Sequence, residues 1–232
     1  KDLCRIRDRV IQPANRNGEG LIWILKQDKT GGDPAWQYLP GQRRVKRAPE
    51  IAFDGPNTSV AGAATYDESY IYNGSPERFD WKILGKKEIV VPYNQYKLAY
   101  HSTENSVFGP KFINPAETRW EKHRVWVLEG KLKPGFRHIY SRRILFLDED
   151  SWYAVLADSY DHKNKIYRVT QCVFVHNYDY PAPFTCGYIG YDLIAGIYYY
   201  NAYTGDTGGM GYIDRLKPQF WSPQSLSGAG IR

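Results

Sequence analysis

Arg43-Arg44-Val45-Lys46-Arg47 places four cationic side chains within five residues, a density of donors suited to phosphate or carboxylate recognition. On a β-strand, period two sends neighbours to opposite faces and splits such a cluster, so the run reads equally as a solvated or salt-bridged edge strand. Asp148-Glu149-Asp150 offers carboxylate oxygens to a cation but lacks the longer ligand-bearing loop of a calcium site, and reads as an acidic turn. His123 and His138 fall on segments that can be neighbours, with no third ligand or nucleophile to complete a centre. Ser141 and Ser151 lack a nucleophile elbow, and the scattered acids define no glycosidase pair. No motif names a cofactor or a metal, so the chain is read as non-enzymatic. A hydrolase built from a His and a carboxylate ranks behind every binding role.

Cys172 and Cys186 lie symmetrically about Asp179. If the flanking strands form a hairpin around Tyr178-Asp179-Tyr180-Pro181, the two thiols are cross-strand neighbours, and in an oxidising compartment they are expected to form a disulfide. The same symmetry serves two small buried thiols equally well, because it does not set the Cα separation. Cys4 is left without a partner.

The elements that must position these residues are mostly strands. Leu21–Leu25 is a short apolar run suited to burial on both faces, after a polar entrance. Trp36 and Tyr38 alternate with Gln37, Pro40-Gly41 turns the chain, and the basic run returns, making a hairpin. Ile51 to Ala64 is an irregular connection able to carry a lid. Thr65 with Glu68 forms a capping-box pattern that predicts a short helix over Tyr66–Tyr72. Phe79–Leu84 and Glu88–Val91 are expected to form a hairpin about Gly85-Lys86-Lys87, and Tyr93 to Pro115 a loop with short helical turns.

From Trp120 the period-two signal sharpens. Trp120, Lys122, Arg124, Trp126, Leu128 and Leu132 share one face, with His123, Val125 and Val127 on the other. Phe136, His138, Tyr140, Arg142, Ile144 and Phe146 form the next strand face, followed by strands over Tyr153–Asp158, Ile166–Asn177, Thr185–Leu193 and Ile197–Ala202. Short connections make sequential antiparallel pairing the simplest topology, and a curved sheet or incomplete barrel follows. Strands do not alternate with crossover helices, which excludes a doubly wound nucleotide fold.

Composition agrees. The 232 residues include 20 Tyr, 7 Trp and 9 Phe, rings that favour sheets and fill an interior or coat an internal surface. One domain over 1–232 is the expectation at this length. The net charge of +6 is spread along the chain and calls for no nucleic acid. No apolar run reaches the roughly 20 residues of a membrane-spanning helix. The chain opens on Lys1 rather than Met, so a processed or truncated start is expected.

Several long motifs, in order, resemble one family. Trp36-Gln37-Tyr38-Leu39-Pro40-Gly41-Gln42-Arg43-Arg44-Val45-Lys46-Arg47-Ala48-Pro49 is similar to the signature of the bacterial domain-of-unknown-function family 1329. So are Arg78-Phe79-Asp80-Trp81-Lys82-Ile83-Leu84-Gly85-Lys86-Lys87-Glu88, Val91-Pro92-Tyr93-Asn94, Arg119 to Glu129, His138-Ile139-Tyr140-Ser141, Asp148 to Trp152 and Tyr191-Asp192-Leu193. That family is similar to the LolA-like outer-membrane lipoprotein-sorting superfamily.

The resemblance implies a mainly β fold, with a curved antiparallel sheet forming an incomplete half-barrel around an apolar cavity and a short helix or loops at its opening. It implies a periplasmic, outer-membrane-associated carrier for a lipid, a lipoprotein acyl chain or another hydrophobic molecule, with an envelope exporter or outer-membrane protein as partner. Trp81, Trp126, Tyr140 and Phe146 are then the wall candidates. The alternative is an envelope interaction module that docks through Arg43, Arg44, Lys46 and Arg47 without a small ligand. Family members have a longer N-terminal portion, so 1–232 is expected to lack part of the full-length protein. Cys172 and Cys186 depart from the family pattern.

Overall fold

The computed structural model describes all residues except 30–31, 49–53, 179–181, 212 and 229–232. The protein is mainly β, with two antiparallel sheets that do not close into a barrel and only short helices. The chain divides into two compact units, Lys1–Gly55 with Tyr212–Arg232, and Pro56–Gly211.

The first unit holds β1 (Asp2–Arg9), β2 (Gly20–Lys26), β3 (Ala35–Leu39) and β4 (Arg44–Arg47), paired in sequence order. The polar entrance is therefore a strand. Its charged, largely exposed side chains carry no periodic apolar signal, yet β1 pairs with β2 from Asp2↔Lys26 to Arg9↔Gly20. β2 buries Ile22, Trp23 and Leu25, as its apolar run requires. A short helix, Ser225–Gly228, lays Leu226 against Ile22 and Tyr38. The expected hairpin is present: Pro40–Gln42 form a 3-10 turn, and Arg43 takes the left-handed conformation at φ 48° before β4 begins.

The second unit is a seven-stranded meander: β5 (Phe79–Pro92), β6 (Trp120–Leu132), β7 (Arg142–Asp148), β8 (Ala154–Tyr160), β9 (Ile166–Asn177), β10 (Ala182–Asp192) and β11 (Ile197–Asn201). Every neighbouring pair is antiparallel and consecutive in sequence. Its core includes Val91, Val125, Val155, Phe174 and Tyr188, and a second cluster gathers Leu98, Val107, Val173, Val175 and Ile189. Each such side chain contributes on the order of 1.5–3 kcal/mol by leaving water. Two further short helices, Tyr96–Tyr100 and Glu104–Val107, lie in the segment read as loop with helical turns.

Three expectations are corrected. The hairpin about Gly85-Lys86-Lys87 is one continuous 14-residue strand, β5, at the sheet edge. Its pairing with β6 shifts between Ile83 and Gly85, and Gly85 at φ 124° absorbs the extra residue as a bulge rather than a turn. The strand face beginning at Phe136 starts instead at Arg142. The predicted helix over Tyr66–Tyr72 is a single 3-10 turn, Tyr66–Glu68. The capping box is there, with the Thr65 N–H donating to Glu68 Oε2 at 2.6 Å. Left-handed Tyr70 (φ 54°) and Ile71 (φ 77°) then end the turn, a conformation costly for a β-branched residue.

The cysteines are corrected too. Cys172 and Cys186 are free thiols on adjacent strands, β9 and β10. A register shift at Thr185/Gly187 places Tyr188, not Cys186, opposite Cys172. Cys172 packs into the main cluster and Cys186 into the second one, so the expected disulfide is not what this register presents. The hairpin tip at 179–181 lies outside the described residues. Burial pushes both thiols up to about 12, which withholds the reactive thiolate. With a thiol-specific chromogenic reagent, the native protein should show one fast-reacting group, exposed Cys4, and three after unfolding. Fast loss of two or three would place Cys172 or Cys186 at the surface.

Candidate functional site

The second unit carries an ionic network where an apolar interior would be expected. Arg143 opens the apolar stretch of β7, Arg168 lies in β9, and Asp192 ends β10. The 3-10 turn brings Asp67 and Glu68 to meet them. Arg143 Nη2 and His138 Nε2 each lie 2.9 Å from Asp67 Oδ2, with both side chains of these pairs at most 4% exposed. Arg168 donates to Glu68 Oε2 at 2.9 Å and to Asp192 Oδ2 at 3.2 Å, and the Tyr140 hydroxyl donates to Glu68 Oε1 at 2.6 Å.

The tautomer of His138 follows from its partners. Its Nδ1 accepts from the Tyr140 backbone N–H at 3.0 Å, so the proton sits on Nε2 and points at Asp67. Two guanidiniums face three carboxylates. Burial alone would raise the Asp67 carboxyl. The Arg143 charge, followed by the His138 and Thr65 hydrogen bonds, holds it well below the usual range instead. Burial and the neighbouring Glu68 charge push the Tyr140 phenol well above its ordinary value. Arg143 is ringed by Tyr140, Tyr72 and Phe79 at 4.8, 5.2 and 5.4 Å. Its Nε and Nη1 find no hydrogen-bond acceptor among the described residues, and the aromatic faces take that place.

Chemically, this arrangement locks rather than reacts. The Asp67–His138 pair is buried, and the hydroxyl beside it, that of Thr65, donates to Asp67 Oδ1 at 2.5 Å. The network ties the Thr65–Ser69 segment to the sheet through charge-assisted bonds whose partners are buried.

The four wall candidates are not gathered on one wall. Trp81 packs over Gly130, where an added Cβ would meet its ring at 2.6 Å, and donates from Nε1 to the Pro76 carbonyl. Phe146 is half-buried against the main cluster. Trp126 pairs with Leu147 and Phe146 with Val127, so those two rings leave opposite faces of the sheet. Trp126 stacks on exposed Trp152 and carries Lys86 over its ring at 4.3 Å. Tyr140 is fully buried inside the ionic network.

His123 and His138, weighed together in the sequence, join different clusters. His123 Nδ1 lies 3.0 Å from Asp148 and its Nε2 3.2 Å from Glu121, with Tyr93 stacked on the ring. Ligand atoms of His123, Asp148 and Asp150 fall within 4.8 Å of one another, a group able to hold a metal ion. Burial would raise Asp148, but bonds from Ser151 and His123 lower it.

Arg43, Arg44, Lys46 and Arg47 are all exposed on the hairpin of the first unit. Arg43, Arg44 and Arg47, without Lys46, line a hollow of about 550 Å³. Among the described residues no helix is long and apolar enough to cross a membrane.

Comparison with known proteins follows this geometry. The family model described as a protein of unknown function, DUF1329, matches residues 1–227. An uncharacterised protein of Pseudomonas aeruginosa is 45% identical over 201 residues, covering 84% of this chain and 44% of that protein. The chain thus spans less than half the length of this curated relative. A domain from Vibrio parahaemolyticus, described as outer membrane lipoprotein-sorting, superposes with a TM-score of 0.63 at 16% identity, over 96% of this chain and 77% of that one. A DUF1329 family protein from Desulfovibrio piger superposes at 0.58 and 14% identity, over 96% and 76%. At these identities the structural likeness is one of fold.

Proposed function

Because the chain belongs to the DUF1329 family, we propose that it is a non-catalytic, periplasmic carrier for a hydrophobic molecule, a lipid or a lipoprotein acyl chain, working with an envelope exporter or outer-membrane protein. The observation that carries this reading is the open seven-stranded antiparallel sheet with the Thr65–Ser69 segment ion-paired onto it. It supports a carrier because an open sheet gives an acyl chain a surface to enter, while a closed, filled barrel gives none. The fold it shares with the lipoprotein-sorting domain of Vibrio parahaemolyticus points the same way, and the inaccessible Asp67–His138 pair weighs against hydrolysis. Trp81, packed against the main cluster, is the wall residue this reading favours. Burial of the guest would drive binding at about 25 cal/mol per Å² of apolar surface, before ordering costs.

Native mass spectrometry after mild extraction from the cell envelope should recover the protein with a lipid-like adduct. Fluorescent fatty acid should bind the purified protein and be released by Trp81→Ala with the circular dichroism unchanged. Repeated recovery without an adduct, together with no fatty-acid uptake, would remove the carrier reading.

A further inference from the structure

The hollow beside the basic hairpin has the chemistry of a built anion site. In the β3–β4 register Trp36 faces Arg47 and Tyr38 faces Val45. Cross-strand partners share a face, so Arg47, Val45, Trp36 and Tyr38 stand on one side of the small sheet. That is the side on which Leu226 of the Ser225–Gly228 helix packs. Simple alternation would throw Arg44 to the opposite face. Arg44 pairs with Leu39 as the first residue of β4, directly after the left-handed turn at Arg43, and from that strand end it lines the same hollow as Arg43 and Arg47. Lys46 does not. The opposite wall supplies neutral polar groups, Gln224 and Ser227.

Two features separate this from an ordinary solvated edge. Among the described residues no carboxylate lines the hollow, and none of the three guanidiniums has an ion-pair partner. Elsewhere in the same unit cations are matched, as in Arg5–Asp2, Lys26–Asp2 and Arg16–Glu19. Three like charges held around one concavity repel one another and focus a positive potential there, which an anion relieves. Each guanidinium brings a planar fork of donors that matches a phosphoryl group two bonds at a time. The volume of about 550 Å³ is that of a small-molecule pocket, with room for more than one phosphoryl group. The half-buried Trp36 indole offers an apolar flank to whatever carries them.

We propose that this hollow binds a headgroup bearing two or more phosphoryl charges, with Arg43, Arg44 and Arg47 as its ligands. The site stands apart from the carrier reading, since it lies wholly in the first unit and uses none of the wall residues.

The test uses two probes, phosphatidylcholine vesicles with and without cardiolipin, and soluble pyrophosphate. Cosedimentation with the cardiolipin vesicles, or calorimetric binding of pyrophosphate, is expected at low salt and should weaken as salt rises. Arg44→Glu with Arg47→Glu should lower affinity by about tenfold or more, because each change takes one cation away from the bound phosphoryl groups. Lys46→Glu changes the net charge on the same strand but not the hollow, and should leave binding near wild type. Vesicle binding alone assigns a lipid headgroup, and pyrophosphate binding as well assigns the phosphoryl chemistry itself. Absence of binding to both probes overturns the proposal. So does an equal loss with Lys46→Glu, which would make the effect one of net charge. All three positions are exposed, so the variants should fold, and circular dichroism checks that they do.

Discussion

Arg143→Met is expected to cost about 3–5 kcal/mol of unfolding free energy, because it strands the buried Asp67 carboxylate without its guanidinium. The neighbouring residue supplies the control. Arg142 leaves the other face of β7, lies over the Tyr160 ring at 3.7 Å and approaches Glu129 at 3.4 Å with a quarter of its side chain exposed. Arg142→Met should therefore lose no more than about 1 kcal/mol. Urea unfolding followed by tryptophan fluorescence measures both. The double variant Arg143→Met with Asp67→Asn should lose less than the sum of its single changes, since it removes both charges together. Equal stability of Arg143→Met and Arg142→Met would mean that the network does not hold the Thr65–Ser69 segment in place.

Acid should unfold the protein through the same network. Asp67 is fully buried, and burial alone would raise its carboxyl. The Arg143 charge and the His138 and Thr65 hydrogen bonds outweigh that and leave it well below its ordinary value, and Asp148 moves in the same direction. For a carboxylate depressed in the folded state, the stabilisation is fully present above the unfolded-state value, about 3.9 for Asp, and is lost as pH falls toward the folded-state value. These groups should thus leave stability unchanged between neutral pH and about pH 5 and destabilise the protein below about pH 4, Asp67 by on the order of 2 kcal/mol. Urea midpoints across roughly pH 2 to 7, a range set about those values, provide the measurement. The gap between wild type and Asp67→Asn should narrow as acid protonates the wild-type carboxyl. A gap that stays constant with pH would show that Asp67 is not ionised in the folded protein.

Much of this fold can be read from period two alone. β6 and β8 bury one face and so carry a clear alternation, while β9 and β10 are buried on both faces, between two core clusters, and short turns leave only sequential pairing. β1 escapes such a reading because a charged strand at a sheet edge is stabilised by its neighbour β2 rather than by its own apolar side chains. β5 misleads it because a glycine followed by two lysines looks the same in a bulge as in a turn, and only the partner strand distinguishes them. The capping box at Thr65–Glu68 is legible, but its continuation is not. What stops the turn is a set of partners distant in sequence, with Arg168 a full 100 residues from Glu68.

The ionic network is the part least visible in the sequence. Its residues are scattered across a 3-10 turn, a loop and three strands, and no spacing rule joins them. One signal is present: Arg168 sits between Tyr167 and Val169, and Arg143 beside Ile144, where an inward position of a sheet would ordinarily be apolar. A cation at such a place needs a buried partner. The acids of Asp67 and Glu68, set in an otherwise uncharged Thr65–Asn73 segment, are the available answer.

The position of β5 has a colloidal consequence. This 14-residue strand is the terminal one of its sheet, and among the described residues no strand pairs with its outer edge, while Ile83, Leu84 and Val90 are exposed at 61, 50 and 60%. An extended edge of that length is a template onto which another chain can zip. Lys82, Lys86 and Lys87 punctuate it, the bulge at Gly85 interrupts its straight run, and Pro92 closes it with a residue that has no N–H to offer. Lys86 is taken up by Glu149 at 2.6 Å, so repulsion between Lys82 and Lys87 and their counterparts is what opposes edge-to-edge approach, and dissolved salt shortens its reach. The conditions that weaken its surface charge are thus the conditions in which the protein is closest to growing its sheet across molecules.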